Sequence, residues 1–404
     1  SIVISSFINH FQNEWINPID TPFEMLTHGY FFNSILLFRF LILYLVLEIL
    51  FVKNKINIKK FFISCFLCVA FVSFDIIIQY SFGYNLLGYK IIPAGITSVF
   101  ANEAIAGSFI QKLSLLGIFG ALLFFNNNKK VLFFITILFL IGTLLASNRI
   151  SVFLFIFSLI ILFILNKKIR LTLLLSFITF ICISQFLFKN DENLKFQYQH
   201  LYLSFYEDDS VVENRTKEVK ENIKSLKNIN PYSSDHLRIY HTTIESWKYK
   251  PILGLGHKSF RVNCRNIISE NAKVKKYSFD PICSSHPHNY QLEILHNTGL
   301  IGFILILFFV FILLLKIFKK LLDKKLNNQN YFMYFIPIVI SAFIEIWPLR
   351  SAGSLFATWN GTTVWILLGL SSMVNSDFIK KNVDKPIKNQ NSFILKLVII
   401  LFSS

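Results

Sequence analysis

Two histidines that precede a long apolar stretch are the residues with the clearest chemical potential. His286 and His288 flank Pro287, and about ten residues later the sequence becomes wholly apolar, from Gly299 to Phe308. Proline suits the first position of a helix, so we expect a helix to begin here and to enter a membrane directly. At about 100° per residue, His288 would share a helix face with Gly299 and Gly302, and these glycines would let a neighbouring helix approach.

In the first turn of such a helix, His288 would feel the positive end of the helix dipole. That field disfavours imidazolium and would keep a neutral base available near neutral pH. The free backbone N–H groups of the same turn would also suit a phosphate. A plainer interpretation is that both histidines are interfacial polar residues at a helix start. A metal site built on His286 and His288 is a weaker interpretation, because the sequence places no third ligand.

The composition indicates what kind of protein must position these histidines. Of 404 residues, 54% are hydrophobic and only 16% are charged, against the ~25% charged residues of an average soluble domain. A soluble enzyme is therefore excluded, and the long apolar runs favour an all-α polytopic membrane protein over a β-barrel. The predicted membrane spans cover residues 31–52, 61–80, 107–126, 131–147, 151–166, 171–188, 299–315, 331–348 and 361–375.

Basic residues in the short connectors predict the topology. Threading the spans in order places the lysine-rich connectors on one side, which the positive-inside rule assigns to the cytoplasm. These connectors also explain much of the net charge of +17, so we predict no nucleic-acid partner. The division predicted is N-terminal transmembrane helices over 1–188, an outward-facing loop domain over 189–298 and C-terminal transmembrane helices over 299–404. We expect further spans beyond each end.

The loop domain is rich in aromatic residues, so we expect it to be folded. Its sequence predicts one helix over 218–227, a second over 234–249, and a turn that enters an extended piece over 252–260. An acidic run at 207–209 is either a solvated turn or half of a divalent-ion site.

Charged residues within the predicted spans need partners, because each costs about 2.5 to 3.5 kcal/mol at mid-membrane. They are Arg39, Asp75 and Glu345. Arg39 and Asp75 lie at similar depths, so we expect a structural ion pair between them, with a proton or substrate relay as the alternative. Cys65 and Cys68 are at helical spacing and indicate small core residues rather than a redox pair.

The histidine segment resembles the signature of a known family. His288, Asn289, Gly299 and Gly302 form the pattern H-N-x9-G-x-x-G, which is similar to the signature of the O-antigen ligase family. In that family the motif ends a large periplasmic loop and leads into a transmembrane helix. Two more stretches match, one around the arginine of LLASNRISVF and one of the form R-x8-W-x3-P-x2-G-x-G. They place family positions at Arg149, Arg238, Trp247, Pro251, Gly254 and Gly256.

The resemblance covers roughly residues 90 to 310 and implies both fold and activity. It implies a helical bundle of the GT-C type with one large periplasmic loop, in the bacterial inner membrane. It also implies a metal-independent, inverting glycosyltransferase that needs no cofactor. The donor would be a glycan on undecaprenyl pyrophosphate and the acceptor the lipid A core, among membrane lipids. An O-antigen polymerase, a protein O-oligosaccharyltransferase and, in a different class, a polyprenyl-linked glycan transporter are the alternatives.

The same resemblance implies roles for single residues. His288 would activate the acceptor hydroxyl, and Arg149 and Arg238 would hold the pyrophosphate, since guanidinium binds phosphate in bidentate fashion. Taken alone, a single arginine such as Arg149 between two outward helix ends is more often a snorkelling anchor. Further candidates for substrate binding are Asn289, His286, Arg215 and Glu103.

The remaining charged and sulfur-containing candidates of the loop are less specific. Arg215, Arg261 and Arg265 would either add positive charge for an anionic substrate or be solvated. Glu103 suits the first turn of a helix, where a carboxylate is favourable. Cys264 and Cys283 are the cysteines of the outer loop, and in the oxidising periplasm we predict a disulfide between them that braces the loop against the His288 helix.

Overall fold

The computed structural model describes residue 6 and residues 34–92, 95–203, 235–272, 281–322, 329–348, 350–351 and 353–373. These residues form helices joined by turns, with no strand among them, so the predicted all-α class is confirmed. The helices are α1 Phe38–Val52, α2 Ile58–Phe82, α3 Ala106–Phe124, α4 Lys129–Leu145, α5 Arg149–Leu165, α6 Arg170–Asn190, α7 Glu192–Leu203, α8 Asp235–Trp247, α9 Ser259–Ala272, α10 Tyr290–Leu322, α11 Gln329–Glu345 and α12 Thr358–Met373.

Each predicted apolar run overlaps one of these helices, and asparagines mark several of their starts. The side chains of Asn57, Asn128 and Asn148 accept hydrogen bonds from backbone N–H groups at the beginnings of α2, α4 and α5. Such a cap satisfies a donor that the first helical turn leaves without a partner. The boundaries of the spans therefore follow from local chemistry as well as from hydropathy.

The core lies where α2, α3 and α4 pack together, with α11 against α3. Phe62, Phe119, Phe139 and Phe335 are fully buried there. By contrast, α6 and α10 expose long apolar faces, and only 17% of the apolar stretch of each helix is buried. A helix that is apolar on its exposed side fits a lipid environment. The bundle therefore has a packed interior and a membrane-facing perimeter.

Four helices of the described residues are long and apolar enough to cross a membrane. They are Ile58–Phe82, Ala106–Phe124, Arg170–Asn190 and Tyr290–Lys319. Arg149–Leu165 and Met333–Glu345 are shorter apolar helices. The chain is thus a polytopic membrane protein, while the crossing of all the predicted spans stays a prediction.

The polar segment contributes α7, α8 and α9, of which α8 and α9 pack on each other and on α10. The helix predicted over 234–249 is confirmed as Asp235–Trp247. The extended piece was a wrong expectation, because α9 begins at Ser259, whose hydroxyl donates to Gly256 O at 2.7 Å. The helix predicted over 218–227 and the acidic run at 207–209 lie outside the described residues.

The predicted ion pair between Arg39 and Asp75 is wrong. Asp75 is fully buried and accepts hydrogen bonds from Ser98 Oγ at 2.5 Å and Leu86 N at 2.9 Å. Arg39 instead donates to Phe356 O at 3.1 Å. Neutral donors from the turn after α2 therefore compensate the buried carboxylate, which the sequence spacing did not reveal. Elsewhere in α2, Cys65 and Cys68 are free thiols and Cys65 is buried.

Candidate functional site

The helix that carries the signature glycines is broken at Gly299. Its φ of 65° and ψ of −171° lie outside the helical range, so α10 consists of two helical pieces that meet at a kink. The continuous helix face predicted for His288, Gly299 and Gly302 is therefore wrong. Glycine tolerates this backbone conformation, whereas a residue with a Cβ is strained in it.

The kink leaves backbone groups without helical partners, and the turn at 251–256 supplies them. Leu255 N donates to His296 O at 2.9 Å and Gly256 N to Asn297 O at 3.0 Å. On the other side of the break, Leu300 N donates to Pro251 O at 2.9 Å. The turn thus caps the end of the first piece of α10 and the start of the second.

Two glycines bring this turn and the kink into contact. A Cβ on Gly299 would lie 2.2 Å from Ile252 O, and a Cβ on Gly254 would lie 2.3 Å from Gly299 N. The glycine pattern therefore serves a close approach, as predicted, but the partner is a turn and not a helix. Trp247 Nε1 donates to Pro251 O at 3.1 Å and holds the turn at the end of α8. Gly302 is buried in the second piece of α10.

A buried histidine, His296, contacts α8 and α9 and stabilises this junction. Its ring lies 3.0 Å from Ser246 Oγ and 3.2 Å from Ser259 Oγ, which belong to α8 and α9. Phe260 packs edge-on against the same ring. One fully buried imidazole therefore links three helices beneath the histidine segment.

The histidine segment ends at Asn289, which is the N-cap of α10. Its side-chain oxygen accepts from Leu292 N at 3.0 Å, and its amide group donates to Pro348 O at 2.8 Å. The helix begins at Tyr290, so the expected start at Pro287 and the expected place of His288 in the first turn are wrong. The capping ability of asparagine outweighed the preference of proline for the first helical position. Asn289 therefore has a structural role that the prediction of substrate binding did not include.

His288 lies in a cluster of aromatic rings just before the helix. Its ring centroid is 4.1 Å from that of His286 and 5.1 Å from that of His236 on α8. Tyr240 follows one turn later on α8, 6.4 Å from His236. Ser351, in the turn after α11, has its hydroxyl 3.5 Å from His236 Nδ1. We call His236, His286 and His288 the histidine cluster.

The surroundings of His288 keep its ring neutral. Burial, followed by the neighbouring His286 and His236, lowers the pKa of His288 to about 4. The expected neutral state is therefore supported, but by desolvation and by two imidazoles, not by the helix dipole. The backbone of His288 has a φ of 56°, a conformation that non-glycine residues rarely adopt. Backbone outliers of this kind cost about 1 to 3 kcal/mol and concentrate at functional sites.

The arginines lie on other elements than His288. Arg149 is the first residue of α5 and interacts electrostatically with Tyr198 of α7. Arg238 is on α8, two residues after His236. Among the described residues, the ring contacts of His288 are to the two other histidines and not to an arginine.

The other predicted site residues have less specific surroundings. Glu103 is exposed in the turn before α3, so its expected place in a first helical turn is wrong. Arg261 and Arg265 are exposed on α9. Arg215 lies outside the described residues.

A disulfide between Cys264 and Cys283 is present in the structure, as predicted. It joins α9 to the non-helical segment that leads into the histidine cluster. Nearby, Ile282 N donates to Thr242 Oγ1 of α8 at 3.0 Å. The segment that precedes His286 is therefore held to α9 by the disulfide and to α8 by this hydrogen bond.

Sequence reasoning missed His236, Tyr240 and Ser351. The first two stand four residues apart in a helix that was predicted correctly, so they share a face. That spacing was a usable signal, but it did not show which face of α8 meets the histidine segment. The sequence around Ser351 contains no pattern that would have indicated its place in the site.

The fold and the site define a class: an all-α membrane protein whose polar segment packs over the start of one span and places a histidine cluster there. The model of the O-antigen ligase family matches residues 134–307. Over these residues, which are less than half of the chain, the protein is similar to the O-antigen ligase family.

A curated relative, a protein of Rickettsia felis (strain ATCC VR-1525 / URRWXCal2) named "Putative polysaccharide ligase", is 30% identical over 159 residues. The match covers 38% of this chain and 35% of the relative, so the chain spans about a third of that protein. No solved structure matches the chain.

Proposed function

We propose that the protein transfers a glycan from undecaprenyl pyrophosphate to the lipid A core on the periplasmic face of the inner membrane, as an O-antigen ligase. The observation that carries the proposal is the position of His288, neutral and half-buried, at the start of a membrane helix. The family match over 134–307 includes this residue and Arg149 and Arg238. The name of the curated relative supports the same class of reaction.

In the proposed reaction, His288 accepts the proton of the acceptor sugar hydroxyl. The hydroxyl oxygen then bonds to the anomeric carbon while the bond from that carbon to the pyrophosphate oxygen breaks. Attack opposite to the leaving group inverts the anomeric configuration. The pyrophosphate leaves with the negative charge, which Arg149 and Arg238 stabilise without a metal ion.

The low pKa of His288 in the free protein suits this order of events. An imidazole with a pKa of about 4 stays neutral over the physiological range, but it is a weak base. A bound pyrophosphate is negatively charged and favours the protonated imidazolium, so it raises the pKa of a neighbouring histidine. Donor binding would therefore strengthen the base at the moment when it is needed.

A strain that lacks its own O-antigen ligase tests the proposal. The full-length protein carrying this sequence should restore long O-antigen ladders on lipid A core in a lipopolysaccharide gel. The His288→Ala variant, present at the same level in the membrane, should leave the polymer on the polyprenyl carrier. Ladders that never return, together with lengthened repeats in a polymerase-deficient strain, would contradict the proposed acceptor.

A further inference from the structure

Lys112, Glu345 and Arg350 form a buried charge cluster beside the histidine cluster. Glu345 accepts a hydrogen bond from Arg350 Nη1 at 2.7 Å and lies 3.4 Å from Lys112 Nζ. The three side chains are 4% exposed or less. Lys112 Nζ also donates to Asn360 Oδ1 at 2.6 Å, so α3, α11 and α12 meet here. Glu345 thus has the partners that its place in a predicted span required.

Two cations share one carboxylate in this cluster. Nearby, Glu293 accepts from Ser354 Oγ and Leu355 N, and Arg39 donates to Phe356 O. Neutral donors compensate Glu293 and Arg39 is exposed, so the cluster of Lys112, Glu345 and Arg350 itself has one formal positive charge in excess. Burying even a paired ion is costly, and an uncompensated one costs more.

The cluster also holds hydrogen-bond donors without partners. Arg350 Nε and Tyr290 Oη are both buried and have no hydrogen-bond partner among the described residues. The guanidinium carbon of Arg350 lies 6.0 Å from the centre of the Tyr290 ring. Buried donors are nearly always satisfied in folded proteins, so such an exception calls for an explanation. Phosphate oxygens accept from both kinds of donor.

Direct hydrogen bonds connect Arg350 to the catalytic segment. The side-chain amide of Asn289 donates to Pro348 O at 2.8 Å and to Arg350 O at 3.4 Å. Asn289 is the residue after His288. Ser351, the residue after Arg350, lies beside His236. The turn that carries Arg350 therefore forms one wall of the histidine site.

We propose that this charge cluster is part of the donor site and binds the pyrophosphate group of the lipid-linked glycan next to His288. Arg350 Nε and Tyr290 Oη donate to the phosphate oxygens, while Lys112 and Glu345 are positioning residues that hold Arg350 and set the local charge. The inference rests on the proposed function, because the pyrophosphate is that of its donor. Lys112 and Arg350 lie outside the range matched by the family model.

Binding of undecaprenyl pyrophosphate without a glycan tests the inference on the purified protein. The protein is placed in nanodiscs that contain phosphatidylglycerol, so that binding to an ordinary anionic headgroup is present throughout. Undecaprenol, which lacks phosphate, measures the contribution of the lipid chain. Lys112→Met removes one positive charge and leaves the pair of Glu345 and Arg350. The double variant Lys112→Met/Glu345→Gln removes one charge of each sign and restores the original net charge.

We expect Lys112→Met to weaken binding of undecaprenyl pyrophosphate about tenfold, or ~1.4 kcal/mol, and the double variant to recover most of it. Binding of undecaprenol should not change, and equal thermal unfolding of the variants shows that the fold is kept. Wild-type affinity in Lys112→Met, or a double variant no better than the single one, would overturn the inference and leave the proposed function standing. If Lys112→Met binds more weakly and the double variant recovers binding, but the protein makes no ligation product, the inference stands and the proposed function is overturned.

Discussion

Gly254 and Gly299 lie in backbone contact, so that a Cβ on Gly254 would come within 2.3 Å of Gly299 N. This contact seats the turn of the polar segment in the break of α10. Four backbone hydrogen bonds cross the junction, from Leu255, Gly256, Leu300 and Ile301. The position of the histidine cluster above α10 depends on this junction.

Replacing Gly299 with alanine should therefore destabilise the protein strongly. The new Cβ would lie 2.2 Å from Ile252 O, at a residue whose φ of 65° already disfavours a side chain. Gly83→Ala is the matched control, because Gly83 also has a positive φ but nothing lies within 4 Å of its Cβ position. Thermal unfolding in detergent should show a small loss for Gly83→Ala, about 1 to 2 kcal/mol for the left-handed conformation, and a larger loss for Gly299→Ala. Equal losses would contradict the role assigned to the contact.

The disulfide between Cys264 and Cys283 should contribute measurably to stability. It closes a loop with a sequence separation of 19 residues, for which the loss of loop entropy in the unfolded chain predicts about 3 kcal/mol. Cys283→Ser should lower the unfolding temperature, and a reductant should lower that of the wild type to a similar value. Cys182→Ser is the control, since Cys182 is an exposed free thiol in α6. Free labelling of both Cys264 and Cys283 in the folded protein would exclude the disulfide.

The loss of activity on acidification, the acid limb of the pH profile, should occur at an unusually low pH. Ligation requires neutral His288, and because its pKa is lowered to about 4, activity is lost only as the pH falls towards that value. The profile of kcat/KM reports the free enzyme and that of kcat the complex with donor. Since the bound pyrophosphate raises the pKa of His288, the acid limb of kcat should lie at a higher pH than that of kcat/KM. A limb of kcat/KM near the ordinary histidine value of 6.5 would contradict the buried position of His288.

His236 should influence the acid limb of the kcat/KM profile, although the sequence did not indicate this residue. It is one of the two imidazoles that lower the pKa of His288, after burial. His236→Phe keeps an aromatic ring and removes the charge of a protonated neighbour, so the acid limb of kcat/KM should move to higher pH. Tyr240→Phe, one turn along α8, should leave the limb unchanged. Parallel shifts in both variants would show that packing, and not the imidazole, sets the pKa.

Hydropathy was enough to locate the apolar helices, but not α7, α9 or the details of the site. The apolar runs indicated the membrane helices, and the two loop cysteines indicated their disulfide. The break at Gly299 was hidden because an apolar run continues on its C-terminal side, and its cause is a turn more than 40 residues earlier in the chain. Asp75 and Arg39 were paired by depth alone, whereas Asn85, Leu86 and Ser98 supply the partners of Asp75.

Other parts of the site were beyond any local pattern. Lys112 is a single cation in an apolar helix, and its importance comes from Glu345 and Arg350, more than 200 residues later. His236 joins His288 only through the packing of α8 on α10. Long-range packing of this kind decides which polar residues meet, and a single sequence does not encode it in a readable spacing.

Glycan transfer by the purified protein tests the central claim most directly. Labelled glycan on undecaprenyl pyrophosphate is mixed with lipid A core acceptor, and the product is measured for the wild type and for His288→Ala. The account predicts glycosylated lipid A core with the wild type and a rate about 10² to 10⁴ times lower with His288→Ala, as for the loss of a general base. Donor binding by the two proteins should be similar. Transfer by His288→Ala at the wild-type rate would contradict the role of this histidine.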